Sequence, residues 1–122
     1  EEKKVFAIVL KENQKVIGSI GIEELSEELD KDLDNLVGRE LGYVLNKDYW
    51  NKGIMTEAVS KVVDYCFNTL KLNFLMASYF NHNIASKKVL ENLNFQFYKD
   101  IIIETGYNNI KEKSTLMLLK NN

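Results

Sequence analysis

A single cysteine, Cys66, and a single histidine, His82, remove several chemistries from this 122-residue chain. One cysteine allows no intrachain disulfide and no cysteine metal cluster. One histidine allows no multi-histidine zinc site, so no metal site is expected. No apolar run approaches the length needed to cross a bilayer. The first residues, "EEKKVFAIVL", lack the order of a signal peptide, so a cytoplasmic location without membrane attachment is the expectation. Large charge of one sign is missing as well. A formal net charge of −2 argues against a general nucleic-acid binder. Proline is absent, and no functional reading follows from that.

What remains is an ordinary composition for one globular domain, 45% hydrophobic and 28% charged. No repeat, linker or low-complexity tract divides it. "VFAIVL" (5–10) and "KVIGSIGIEEL" (15–25) read as two strands of a hairpin around the polar break "KENQ". Gly18 and Gly21 suggest close packing or a bulge. "EELSEELDKDLD" (23–34) is strongly acidic. Leu25, Leu29, Leu33 and Leu36 recur there at helical spacing, which predicts a short amphipathic helix with a solvated acidic face. The other reading is an acidic wall that attracts a cationic amine.

"RELGYVLN" (39–46) reads as a third strand. "MTEAVSKVVDYCFNTL" (55–70) predicts the longest helix, with Ala58, Val59, Val62, Val63, Cys66, Phe67 and Leu70 on one buried face. Cys66 belongs to that face, as a core residue rather than a nucleophile. "NFLMASYF" (73–80) predicts a buried strand. "NIASKKVLENL" (83–93) predicts a second helix, closed by Asn94 in a left-handed cap. "FQFYKDIII" (95–103) and "STLMLLK" (114–120) predict the last strands, joined by a loop over 104–113. The order implies an α/β (α+β) fold. Its sheet is mixed and mostly antiparallel, with flanking helices and one crossover through the long helix.

"YWNKGIMTEA" (49–58) carries the first functional signal. Gly53 stands directly before the long helix. A helix start presents free N–H groups and partial positive charge, and glycine lets a bulky anion approach the backbone. A plain tight turn is the alternative.

Two motifs then resemble one family. "ELGYVLNKDYWNKGIMTEAV" (40–59) is similar to the strand, aromatic turn and glycine-led helix start of GNAT-superfamily N-acetyltransferases. "NIASKKVLENLNF" (83–95) resembles the Asn-x-x-Ser segment of the ribosomal-protein N-terminal (Rim-type) branch. The resemblance implies the acyl-CoA N-acyltransferase fold and acetyl-CoA as co-substrate. Carried over by position, Trp50, Asn51, Lys52, Gly53, Ile54 and Met55 form the loop that cradles the pyrophosphate. Tyr43, Val44 and Leu45 form the strand that pairs with the pantetheine arm, and Asn83 contacts the cofactor. Trp50, Asn51, Met55 and Asn94 depart from the family's usual residues. Members have a further strand and one or two helices before "VFAIVL", so residues 1–122 read as a single, N-terminally truncated domain.

The same resemblance implies direct attack of an amine on the thioester, with a backbone N–H near Leu45 as oxyanion donor. Glu40 is the expected base, with His82 as a second candidate. Many members use a tyrosine acid where this chain has Leu90, and Ser86 is the expected substitute. The acceptor is a protein N-terminus, or a small molecule such as a polyamine, amino sugar or antibiotic. A non-catalytic acyl-CoA-binding domain is the contrasting class, and a homodimer is compatible with each.

Overall fold

Alternation in the first strands and a helical period in the middle of the chain produce one sheet with two helices. The computed structural model describes residues 4–106 and 110–121. Strands β1 (Lys4–Val9) and β2 (Val16–Glu23) pair antiparallel, and β2 pairs antiparallel with β3 (Gly38–Leu45). Helix α1 (Ile54–Asp64) crosses to β4 (Phe74–Phe80), which lies parallel to β3. Helix α2 (Ile84–Asn92) leads to β5 (Gln96–Thr105) and β6 (Ile110–Lys120). The six strands run in the order β1-β2-β3-β4-β6-β5. The mixed sheet, antiparallel at both ends with one helical crossover, is the one expected from the sequence.

Both faces of the sheet are covered, by different means. Along β4, Leu75 and Ala77 turn toward the helices, while Phe74 and Met76 turn away, as the two-residue period of a strand requires. On the helix side, Met55, Val59, Val62, Val63 and Cys66 of the α1 segment are buried against Ile20, Ile22, Leu41 and Leu75. Each such side chain contributes about 1.5–3 kcal/mol when fully buried. Glu57, Lys61 and Asp64 lie on the exposed face. The helix then widens into a π-helical turn, Tyr65–Thr69, instead of staying regular to residue 70.

The acidic segment is not the expected amphipathic helix. Only Lys31–Leu33 forms a single 3₁₀ turn. The rest is a strap that lays Leu25, Leu29 and Leu33 on Phe74, Met76 and Leu116 across the far face. Its leucines bury the same apolar surface that a helix would have buried. The strap's backbone instead bonds side chains of the sheet: Asp30 N–H donates to Tyr98 Oη at 2.7 Å, and Lys99 Nζ donates to the Glu28 carbonyl at 2.9 Å. The expected loop over 104–113 is largely strand. Thr105 pairs with Ile110, while residues 107–109 lie outside the described part.

Gly18 is a point of close packing: a side chain there would run into the Val44 carbonyl and Leu45. The neighbouring irregularity falls in β1, between Ile8 and Val9. Asn94 has φ 70°, the left-handed cap predicted after α2.

The register between β3 and β4 creates the site. Their parallel pairing runs from Gly38–Phe74 to Leu41–Ala77 and stops. β3 continues through Gly42–Leu45, while Ser78–Phe80 of β4 stay with β6. The sheet therefore forks in its middle. Among the described residues, no helix is long and apolar enough to cross a membrane.

Candidate active site

The fork opens into a cleft of about 430 Å³ on the helix side. Its walls are the free end of β3, the turn and loop before α1, the first turn of α1, and one face of α2. Tyr43, Val44, Leu45, Trp50, Asn51, Gly53, Ile54, Met55, Asn83 and Ser86 all border it. Ten of the thirteen candidates named from the sequence, His82 among the other three, thus lie around one cavity. Lys52 and Glu40 do not line it.

The loop is shaped by backbone conformation. Asn51 and Gly53 are both left-handed, with φ 61° and 76°. Gly53 is the N-cap of α1, and no side chain caps that helix start. A Cβ on Gly53 would meet nothing within 4 Å. Ile54, Met55 and Thr56 of the first turn border the cleft, and an uncapped helix start carries unpaired N–H groups and partial positive charge. Helix α2 contrasts with it. There Asn83 Oδ1 accepts the Ser86 N–H at 3.0 Å and closes the helix start with the chain's own side chain.

Two further bonds set the walls. Trp50 Nε1–H donates to the Leu45 carbonyl at 2.8 Å, tying the loop to the end of β3. Tyr43 Oη lies 2.7 Å from Ser86 Oγ, joining β3 to α2 across the fork. Burial pushes the Tyr43 phenol above its ordinary value, and the bond to Ser86 partly offsets this. The Ser86 hydroxyl is therefore not a helix cap; Asn83 has that role.

Positive charge collects at the cleft mouth in spite of the net acidity. Lys15 Nζ and Lys52 Nζ lie 5.8 and 5.7 Å from the centre of the Tyr49 ring, which itself borders the cleft with Lys88. Lys52 thus contributes potential at the rim instead of a wall. The observed set adds Tyr49, Thr56, Ala85, Lys88, Val89 and Asn92. Four of these sit on α2, and the helical spacing from Asn83 and Ser86 to Val89 is the sequence signal that could have marked this face.

Leu41, Tyr43 and Leu45 pack on the helix side, so Glu40 projects to the opposite face by the strand period. There its Oε1 accepts from Ser26 N–H at 3.1 Å and Ser26 Oγ–H at 2.8 Å. It nonetheless pairs in register with Met76, one step before the fork opens. His82 stacks on Phe80 with ring centres 5.7 Å apart and lies 3.6 Å from Glu112, outside the cleft walls. Leu90 is fully buried.

A forked mixed sheet whose cleft ends at an uncapped helix start invites comparison with known proteins. The model of the acetyltransferase (GNAT) domain matches residues 1–96. The chain belongs to the GNAT acetyltransferase family. It is 37% identical over 91 residues to "Uncharacterized N-acetyltransferase p20" of Bacillus licheniformis, covering 75% of this chain and 47% of that protein. It is 32% identical over 69 residues to the [ribosomal protein uS5]-alanine N-acetyltransferase of Escherichia coli, covering 54% of this chain and 36% of that enzyme. Among solved structures, the ribosomal-protein-S5-alanine acetyltransferase of Vibrio fischeri superposes with a TM-score of 0.83 at 28% identity, over 97% of this chain and 61% of that one. The Mycobacterium smegmatis RimJ structure, in complex with CoA-disulfide, shares the fold with a TM-score of 0.76 at 18% identity, over 96% of this chain and 53% of that one. The chain spans about half the length of the curated relatives it matches.

The residues present fit acetyl-CoA, the co-substrate that a GNAT domain uses. The uncapped α1 start suits a pyrophosphate, the basic rim suits further phosphate, and the Tyr43–Ser86 bridge borders the same cleft.

Proposed function

We propose that this protein is an N-acetyltransferase that moves an acetyl group from acetyl-CoA to a primary amine by direct attack. The observation that carries the reading is the fork between β3 and β4, with its cleft ending at the uncapped N-terminus of α1. In this reading Gly53, Asn51 and the first turn of α1 hold the pyrophosphate by main-chain N–H groups. The free edge of β3 at Tyr43–Leu45 pairs with the extended pantetheine arm, as it would with a peptide strand. The Leu45 carbonyl already accepts from Trp50, so the arm takes its bonds from the other main-chain groups of that edge. Asn83 Oδ1 is likewise engaged, which leaves Nδ2 as the group that meets the ligand.

Acetyl-CoA, when bound, supplies the acetyl group as a thioester. The chain's part is to position it, to place N–H donors at the carbonyl oxygen, and to manage two protons. Because the sheet is open at the fork, an amine can approach from the face opposite the helices. Glu40 stands on that face and takes the amine's proton, through a water. Ser86, on the helix side, offers its hydroxyl to the departing sulfur in place of the tyrosine that Leu90 replaces.

The acceptor we favour is a protein N-terminus, supported by the likeness to the uS5-alanine enzymes. The test is a thiol-release assay with acetyl-CoA against N-terminal peptides and a panel of small amines. Release with an alanine-initiated peptide supports the full reading. Release with small amines alone moves the acceptor to that class. CoA binding without release by any amine replaces the enzyme with an acyl-CoA-binding module.

A further inference from the structure

We propose that Tyr43 is a positioning residue for Ser86: its phenol donates to Ser86 Oγ and so directs the serine's own proton into the cleft, at the thioester sulfur. The inference rests on the acetyltransferase reading and adds to it a residue that neither the motifs nor the comparisons single out for its side chain.

The hydrogen bonds around Ser86 fix the direction. Its N–H is held by Asn83 Oδ1 at 3.0 Å. Its Oγ lies 2.7 Å from Tyr43 Oη, and its carbonyl lies 3.4 Å from the same phenol. Two acceptors of one residue thus stand before a single phenolic O–H, a layout that suits Tyr43 as donor. A phenol is also the stronger acid of the two hydroxyls, which makes it the better donor. Burial holds the phenol protonated across the neutral range, so the donation persists. Once Oγ accepts from Tyr43, the serine proton must point elsewhere, and both residues border the cleft. A serine in a helix commonly turns its hydroxyl back onto the preceding turn, where it does no work for a ligand. Among the described residues Ser86 Oγ makes no such back-bond, and its hydrogen-bond contact is with Tyr43 Oη. The bond also spans the fork between β3 and α2, so the serine is placed relative to the strand that holds the pantetheine arm.

No covalent step is assigned to Tyr43. Its proton stays on the phenol, and the serine O–H stabilises sulfur as the carbon–sulfur bond breaks.

The test compares CoA with desulfo-CoA, which lacks the sulfur, and needs no turnover. Trp50 is the only tryptophan and borders the cleft, so its fluorescence reports binding. The unmutated chain should prefer CoA by roughly three- to tenfold, the scale of one hydrogen bond. Tyr43→Phe and Ser86→Ala should each bring that preference to about one while leaving desulfo-CoA affinity unchanged, and the double variant should go no further. In thiol release, Tyr43→Phe should lower kcat by about tenfold at constant KM for acetyl-CoA. Equal weakening of both ligands by Tyr43→Phe would make Tyr43 a wall of the cleft and overturn the proposal. So would an intact preference in either single variant, with or without a lower melting temperature. Absence of CoA binding by the unmutated chain defeats the acetyltransferase reading at the control, before any variant is compared, and this proposal with it.

Discussion

Trp50 and Leu45 are joined by a hydrogen bond of 2.8 Å from the indole N–H to the main-chain carbonyl. The bond fastens the loop before α1 to β3, the strand that borders the cleft. With 42% of Trp50 exposed, burial holds the indole only in part, and this bond adds a constraint. Trp50→Phe keeps the ring and removes the donor. CoA affinity should fall by about three- to tenfold, the worth of one net hydrogen bond. Calorimetry checks it, and unchanged affinity in the folded variant would refute the anchoring role.

Gly53 combines a left-handed backbone, φ 76°, with empty space where a side chain would stand. Gly53→Val therefore acts twice. A β-branched residue in this conformation should cost about 1–2 kcal/mol of stability. The added methyls also fill the space proposed for the pyrophosphate, and CoA binding should weaken by about 1–3 kcal/mol. Thermal unfolding separates the first effect from the second, which calorimetry reads. A variant that loses stability but binds CoA normally would move the phosphates away from this loop.

Cys66 lies fully buried on the core face of the helical segment after Ile54, and burial pushes its thiol up to about 11. A thiol so held is not a nucleophile at neutral pH. Cys66→Ala should keep most thiol-release activity and lose about 1–2 kcal/mol of stability. The pH dependence has a definite sign. The unfolded chain gives up the thiol proton near the ordinary value of 9.0, while the folded chain keeps it to about 11. The folded state thus binds more protons between these values, and stability falls as pH rises across them. Denaturant unfolding at pH 8 and pH 10.5 should show a smaller decline in Cys66→Ala than in the unmutated chain. An equal decline in both would discount the thiol.

Glu40 stands one residue before the fork on the face away from the helices, its Oε1 held by Ser26. If it takes the amine's proton, Glu40→Gln should lower kcat/KM by about a hundredfold at neutral pH. Acetyl-CoA affinity should stay constant, because the side chain lies across the sheet from the cleft. Activity that recovers as pH is raised, when the amine deprotonates unaided, would support the base role. A parallel loss of cofactor affinity would assign Glu40 to structure, with Ser26 as its purpose.

Much of this architecture is written in local pattern. The helical period from Met55 to Cys66, the strand alternation around Ile20 and Ile22, and the left-handed cap at Asn94 each follow from neighbouring residues alone. Most residues of the cleft were legible through the resemblance of two short motifs to GNAT acetyltransferases; Gly53, a glycine ahead of a strong helix, is the local signal with a chemical consequence of its own. Three things depended on contacts between distant segments. The leucines at 25, 29 and 33 have a helix's spacing, yet they form a strap, because the far face of β4 and β6 offers apolar surface and Tyr98 and Lys99 bond its backbone. Glu40 and Tyr43 are three residues apart in one strand, so the two-residue period puts them on opposite faces of the sheet, but only the packing of Leu41 and Leu45 decides which side is which. The bond between Tyr43 and Ser86 joins residues 43 positions apart. No local pattern carries it, since it exists only where β3 leaves β4 and α2 crosses the gap.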